Sequence, residues 1–252
     1  MSSCDIAAAA DLLVSALQPG GRIAALPDGA RPADWDEAYA IQDAVIHQLG
    51  TPAGWKVGAA APDAEPFRGA LTAATITGSP AELPAGQFNV IGVEAELVYR
   101  FGRALPARDR PYGRDEVLAA IASVHAAIEI VDTRYKAWNS VDRLSQVADR
   151  MNHGALIVGG GRTDWDAIKP LAQPVVMVID GTPAVAAIGG NSAGEPLRML
   201  EWLANKGARS LGGIRAGDVV TTGSCTGTVF IEAGQHAVAE FAGLGSAEVR
   251  IV

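Results

Sequence analysis

Apolar residues at the start of the chain recur every three or four positions. Ile6, Ala10, Leu13 and Leu17 share one face of a helix. Pro19-Gly20-Gly21 stops that pattern. A turn-rich stretch follows through Pro27, Gly29 and Pro32, and a second helix is expected from Asp34. Glu37 stands three residues on, a capping-box-like start, and the acidic first turn complements the helix dipole. Ala38, Ile41, Val45 and Leu49 form its apolar face, and Gly50 closes it.

From about Trp55 the period changes. Short β-type runs alternate with Gly and Pro at residues 55–58, 93–101, 127–131, 155–158, 175–179, 219–222, 229–233 and 237–241. Two helices are expected among them. One covers 114–124, with Val117, Ile121 and Val124 on one face; the other begins near Pro196 and carries Leu197, Leu200, Leu203 and Ala204. Strands and helices do not alternate regularly, which disfavours a Rossmann-type or barrel fold. The pattern predicts an α+β chain, with a helical N-terminal region over residues 1–64 and a mostly β catalytic domain over residues 65–252.

Composition narrows the classes. The chain has 252 residues, 49% of them hydrophobic and 19% charged, enough to build a substantial core. A net charge of −8 repels phosphate backbones and argues against nucleic acid as a partner. It also repels an anionic substrate, which would need local positive charge from a metal or a placed Lys or Arg. Cys4 and Cys225 form no CxxC pattern, so neither a zinc site nor a disulfide framework is expected. Two reduced cysteines suit the cytosol. Met1-Ser2-Ser3-Cys4-Asp5 does not read as a secretory signal, and the apolar runs break well short of a membrane span.

The most informative segment is Val93-Glu94-Ala95-Glu96-Leu97-Val98-Tyr99. Alternate side chains share a face of a strand, so Glu94 and Glu96 point the same way with alpha carbons roughly 6.5–7 Å apart. Parallel carboxylates repel unless a cation or solvent separates them. Glu129 lies between Ile128 and Ile130, where an unpaired carboxylate is costly to bury. Three carboxylates suit a hard ion such as Mg²⁺ or Mn²⁺. The same Glu-x-Glu also fits the solvated face of an antiparallel sheet.

Other groups carry chemistry with blander alternatives. Lys56, in Gly54-Trp55-Lys56-Val57-Gly58, is either an exposed edge lysine or an ammonium aimed at a substrate carboxylate or enolate. His153, in Asp149-Arg150-Met151-Asn152-His153-Gly154, is either a general acid or base or a loop histidine with a local hydrogen bond. The run Thr221-Thr222-Gly223-Ser224-Cys225-Thr226-Gly227 is a tight turn or a cradle of backbone N–H groups for an oxyanion. It matches neither a P-loop nor a nucleophile elbow. Arg68, Arg134 and Arg150 are candidates to meet a second substrate carboxylate.

Together these segments resemble the 2-keto-4-pentenoate hydratase family of the fumarylacetoacetate hydrolase superfamily, which includes 4-oxalocrotonate decarboxylases. The matching pieces, in order, are Gly54-Trp55-Lys56-Val57-Gly58, Val93-Glu94-Ala95-Glu96, Ile128-Glu129-Ile130-Val131-Asp132-Thr133-Arg134, the stretch 149–159, Pro196-Leu197 with Trp202-Leu203-Ala204-Asn205, and Ala216-Gly217-Asp218-Val219-Val220-Thr221-Thr222-Gly223-Ser224. The resemblance implies a mixed β-roll behind a small helical region. It implies Mg²⁺ or Mn²⁺ on Glu94, Glu96 and Glu129, Lys56 in the active site, and a homo-oligomer. The implied substrate is a small 2-oxo acid or its enol, of the 2-hydroxypenta-2,4-dienoate type, met in the catabolism of aromatic compounds. Thr222, Ser224 and Arg134 join Lys56 as candidate substrate contacts.

The chain departs from the family at two places. Members commonly carry an Asp-Asp pair after a Gly-x-Leu segment, whereas Ala73-Ala74 follows Gly69-Ala70-Leu71-Thr72 here. Members also often have serines where Asn152 and His153 stand. Asn152 or His153 is therefore expected to share the proton handling. Loss of the hydration acid keeps open a decarboxylase, a C–C hydrolase and a non-catalytic metal and ligand-binding homologue.

Overall fold

Residues 4–252 are described by a computed structural model, so the reading of Met1-Ser2-Ser3 lies outside the described residues. The chain opens on α1 (Ile6–Ser15) and α2 (Trp35–Leu49). Asp5 caps α1 by accepting from the Ala8 N–H at 3.0 Å, and Asp34 caps α2 by accepting from the Glu37 N–H at 2.9 Å. Glu37 does not close the expected capping box. Its carboxylate accepts instead from the N–H groups of Ala33 and Cys4. The apolar stripes of the two helices meet through Ala9, Leu13, Ile41 and Val45, with Tyr135 packed between them and the rest of the molecule.

The strands, in chain order, are β1 (Pro52–Gly58), β2 (Phe67–Thr72), β3 (Ile76–Gly78), β4 (Ala81–Leu83), β5 (Gly92–Phe101), β6 (Leu105–Pro106), β7 (Ile121–Val131), β8 (His153–Arg162), β9 (Pro174–Ile179), β10 (Thr182–Ile188), β11 (Gly213–Ile214), β12 (Val219–Ser224), β13 (Val229–Phe230), β14 (His236–Phe241) and β15 (Gly245–Ile251). Short helices α3 (Arg114–Leu118), α4 (Arg143–Ala148) and α5 (Pro196–Trp202) interrupt them. The main sheet runs β2-β1-β12-β5-β7-β8-β3, with β13 added beside β5. A second sheet runs β10-β9-β14-β15-β4. Most neighbours are antiparallel, but β1 with β12, β3 with β8 and β4 with β15 are parallel. This is the mixed α+β architecture expected.

The two sheets pack face to face. Ala95, Leu97 and Tyr99 of β5 and Ile128 and Ile130 of β7 share one core with Met177, Phe241 and Val249 of the second sheet. Burying each large apolar side chain contributes roughly 1.5–3 kcal/mol. The intervening residues of β5 and β7 therefore face away from that core, and Glu94, Glu96 and Glu129 are among them.

Three expectations change. The helix over 114–124 stops at Leu118, and Ile121–Val131 is a long strand paired with β5 almost throughout. Val117, Ile121 and Val124 fit a helical face, but the β-branched run through Val131 fits a half-buried sheet better. The strand at 229–233 shrinks to Val229–Phe230. The helical part ends at Leu49, and β1 is paired on both sides, with β12 and β2. The change from helix to sheet thus precedes the expected division after residue 64, and Lys56 rides on the main sheet. No helix among the described residues is long and apolar enough to cross a membrane.

The sheet contact gives the first prediction. A Cβ on Gly159 of β8 would stand 2.0 Å from the carbonyl oxygen of Ser246 on β15. Gly159→Ala must push the sheets apart, at a cost of about 1–3 kcal/mol. Gly78→Ala on β3 meets nothing within 4 Å and should cost much less. Urea unfolding of the two variants checks the difference.

Candidate active site

The register of β5 against β7 builds the site. Glu94 lies directly opposite Glu129, and Glu96 lies two residues along on the same face. One carboxylate oxygen from each lies within 4.8 Å of the others. Glu129 is fully buried, Glu96 nearly so, and Glu94 partly. Beyond β5, β12 sets Thr221 beside Lys56 of β1. Lys56 Nζ stands 2.8 Å from Glu129 Oε1 and donates to the Met151 carbonyl at 3.0 Å. The Thr221 hydroxyl and the Gly223 N–H donate to Glu96 Oε2, and the Thr228 hydroxyl donates to Glu94 Oε1.

Charges this close shift one another. Burial raises the pKa of all three glutamates, and mutual repulsion adds to the rise at Glu94 and Glu96. Lys56 only partly offsets it. Burial by itself would lower the Lys56 ammonium, but the three carboxylates outweigh it and hold the group above its usual range. Lys56 is therefore charged at neutral pH.

His153 completes the cluster from behind. Nδ1 lies 2.9 Å from Glu129 Oε1 and Nε2 lies 2.9 Å from Thr75 Oγ1. Burial, with Arg150, Lys56 and Arg134 nearby, drives its pKa well below the usual value, so the ring is neutral. A carboxylate oxygen only accepts, so Nδ1 carries the proton and Nε2 is the acceptor, sharing the single Thr75 hydroxyl proton with the Thr72 carbonyl at 3.1 Å.

The donors fit a divalent cation. Three carboxylates facing one ammonium leave a formal charge of −2. Glu129 Oε2 is buried and meets no hydrogen-bond partner among the described residues, an arrangement that a cation would relieve. All-oxygen donors select hard ions. Beside the cluster lies a cavity of about 340 Å³, walled by Lys56, Met151, Asn191 and Ser224 with the apolar Val57 and Phe67. A larger hollow of about 650 Å³ between Trp35, Tyr39 and Trp202 holds no such carboxylate cluster.

The structure brings together Glu94, Glu96, Glu129 and Lys56, with Ser224 on the cavity wall. The other candidates stand apart from that wall. The Thr222 hydroxyl turns back to the Leu97 carbonyl, because Thr222 alternates with Thr221; its own carbonyl holds Asn191 at 2.7 Å. Arg134 is spent on Asp149 and the His153 carbonyl, and lines a different cavity. The Asn152 side chain makes no hydrogen bond to the carboxylates and is not on this cavity's wall, and its backbone carbonyl accepts from the Asp132 N–H at 2.8 Å. The glycine-rich run makes no free cradle. Gly223 N–H goes to Glu96, Cys225 N–H to Ala95 and Thr226 N–H to Ser224. Ala73 and Ala74 are exposed, and Thr75 beside them reaches His153.

Thr228, Asn191 and the Met151 carbonyl went unnoticed in the sequence, and Thr221 was read only as part of the glycine-rich run, not as a partner of Glu96. The only signal for Thr221 was a hydroxyl pair in an apolar strand, and which of the two faces the site depends on register.

The model of the fumarylacetoacetate (FAA) hydrolase C-terminal family matches residues 49–252. The chain belongs to the fumarylacetoacetate hydrolase family. Within the family it is 30% identical over 252 residues to the 2-keto-4-pentenoate hydratase of Burkholderia vietnamiensis, covering 96% of this chain and 95% of that one. It is 31% identical over 137 residues to the 4-oxalocrotonate decarboxylase of Pseudomonas putida, covering 54% and 52%. The solved structure of 4-oxalocrotonate decarboxylase from Pseudomonas putida G7, complexed with magnesium and adipate, shares the family fold with a TM-score of 0.85. That likeness has 23% identity and covers 98% of this chain and 97% of that one.

The raised glutamates set a pH dependence. In the folded, chelator-treated chain they keep protons at a pH where the unfolded chain has released them. Their contribution to stability then falls as pH climbs from about 4.5, the ordinary glutamate value, through the raised range, and it shows cleanly above about 6.5, where the opposing contribution of the neutral His153 no longer changes. A divalent cation replaces those protons, so the melting temperature gained on adding Mg²⁺ should grow over the same window. Thermal scans with EDTA and with Mg²⁺ from pH 5 to 8 check both slopes.

Proposed function

We propose that this chain is a divalent-metal-dependent lyase that hydrates 2-hydroxypenta-2,4-dienoate-type substrates in the breakdown of aromatic compounds. The observation that carries the reading is the meeting of Glu94, Glu96 and Glu129 with Lys56 at one cavity. Whole-length similarity to named hydratases supports the choice of reaction. Exposed apolar side chains at Trp35, Leu171, Ile188 and Phe230 support a homo-oligomer, and two free cysteines support a reducing compartment.

The three glutamates would hold Mg²⁺ or Mn²⁺. Once bound, that ion supplies Lewis acidity toward a substrate carboxylate and 2-oxo oxygen. The chain's own groups do the rest. Lys56, kept protonated by its neighbours, donates toward the carboxylate or the developing enolate oxygen. The Ser224 hydroxyl offers a polar contact, Asn191 is held in the wall by the Thr222 carbonyl and the Ala193 N–H, and Val57, Phe67 and Met151 shield the diene from bulk water. His153 fixes Glu129 Oε1 as an acceptor for Lys56, so the Lys56–Glu129–His153–Thr75 chain sets where the proton sits.

One observation favours a second reading. Apart from the glutamates of the cluster, no carboxyl lines the active cavity to serve water addition, and Ala73-Ala74 stand where the resemblance expects an acidic pair. A decarboxylase of the 4-oxalocrotonate type, or a C–C hydrolase, needs the same enolate stabilisation without that acid. Assays with Mg²⁺ or Mn²⁺ and the dienol, 4-oxalocrotonate and an acylpyruvate separate the three. Loss of dienol absorbance without CO₂ supports hydration. Release of CO₂ transfers the site to decarboxylation, and two acid products transfer it to hydrolysis.

Lys56→Met should leave metal affinity intact while lowering kcat/KM by about 100-fold or more, the scale of a lost oxyanion donor. Glu94→Gln and Glu129→Gln should weaken metal binding and turnover together. Calorimetric titration with Mn²⁺, set beside the kinetics, reads both. Unchanged Mn²⁺ affinity in Glu129→Gln would remove it as a ligand.

His153→Ala should weaken Mn²⁺ binding by about 10–100-fold, as when a ligand loses the group that orients it. Thr75→Val, one step further out, should do less. Turnover unchanged in His153→Ala for every accepted substrate would end its role.

A further inference from the structure

Arg150, Met151 and Asn152 occupy the left-handed region in succession, with φ of 51°, 54° and 58°. Non-glycine residues keep such backbone only where their surroundings hold it. The turn divides two cavities. Met151 faces the active cavity, and its carbonyl holds Lys56. Arg150 faces a second cavity of about 310 Å³, behind Leu17 and Leu49 of the helical region.

Arg150 is only 2% exposed. Its guanidinium makes no hydrogen bond or ion pair among the described residues, and Nη1 is sealed from solvent without a partner. The neighbouring charges are already matched. Arg22 pairs with Asp132 at 2.9 Å, and Arg134 pairs with Asp149. Asp132 also accepts from the Asn89 and Val90 N–H groups. Arg150 is the cation left over. Burial brings its pKa down to about 10, so it stays charged at neutral pH. An uncompensated buried charge is among the costliest arrangements a fold can carry.

The walls say what would compensate it. Thr72, Thr75 and Thr77 offer hydroxyls, while Leu17, Leu83 and Phe88 offer apolar surface. The Asp132 carboxylate in the same wall disfavours a dianion. A guanidinium fork matches the planar geometry of a carboxylate. We propose that this second cavity is a binding site for a small monocarboxylate with an apolar body, its carboxylate seated on Arg150. The site is separate from the metal cluster and does not depend on which reaction the active cavity performs.

The test is calorimetric titration of the metal-loaded full chain with hexanoate, which lacks a 2-oxo group. Asn tolerates left-handed backbone well, so Arg150→Asn removes the charge and keeps the turn, while Arg150→Lys keeps the charge. Hexanoate should bind saturably to wild type and to Lys56→Met alike. Binding should weaken by about tenfold or more in Arg150→Asn and recover in part in Arg150→Lys. Equal affinity in wild type and Arg150→Asn overturns the proposal. So does binding lost in Lys56→Met and kept in Arg150→Asn, which puts hexanoate in the active cavity. Chloride or phosphate competing as well as hexanoate overturns the monocarboxylate assignment. No hexanoate binding, with an assembly that dissociates on sedimentation of Arg150→Asn, hands the role to a carboxylate of a neighbouring copy.

Discussion

A protonated lysine among three buried carboxylates is the interaction on which the rest depends. Glu94, Glu96 and Glu129 repel one another, and burial removes the water that would screen them. Lys56 offsets one charge and is itself locked in the ammonium form. The remaining charge gives the cluster its appetite for a cation. The hydrogen bonds from Thr221, Gly223, Thr228 and His153 limit how far the carboxylates can retreat from one another. The site is preorganised and electrostatically strained at once, an arrangement whose donors suit a hard cation.

Much of this was legible because β-sheet geometry has a period of two. Glu94-x-Glu96 in an apolar run already placed two carboxylates on one face, and Glu129 flanked by isoleucines could not be an ordinary surface residue. Lys56 between Trp55 and Val57 carried the same signal. What was not legible depended on long-range register. Thr221 meets Glu96 across 125 residues of sequence, and nothing local distinguishes it from Thr222. Arg134 looked like a substrate contact until Asp149 was seen to hold it. The helix over 114–124 failed for a related reason, since pairing along β5 outweighed a helical spacing that three residues happened to satisfy. Strands β2, β3, β4, β6, β10, β11 and β15 went unread because short or glycine-flanked runs become strands only when a partner is present.

The polar groups behind the site form a frame of their own. Asp132 gathers Arg22, Asn89 and Val90, and Asp149 grips Arg134, whose guanidinium also holds the His153 carbonyl. Pairing at this depth has modest net stabilising value, but it fixes backbone. Here it anchors the start of β8, from which His153 reaches Glu129. The frame thus connects the helical N-terminal region, through Arg22, to the position of the Glu129 carboxylate far along the chain.

Lys56, Thr221, Glu94, Glu96 and Glu129 all ride on four adjoining strands of one sheet. The part of the cavity wall at 190–193 and at Met151 belongs to connecting segments. Loops accept sequence change that strands buried on both faces refuse. Drift in these loops can therefore reshape the cavity's outline and charge while the carboxylate cluster stays as it is. A single scaffold of this kind can pass between neighbouring chemistries by small steps, none of which unmakes the part that took the most precise construction.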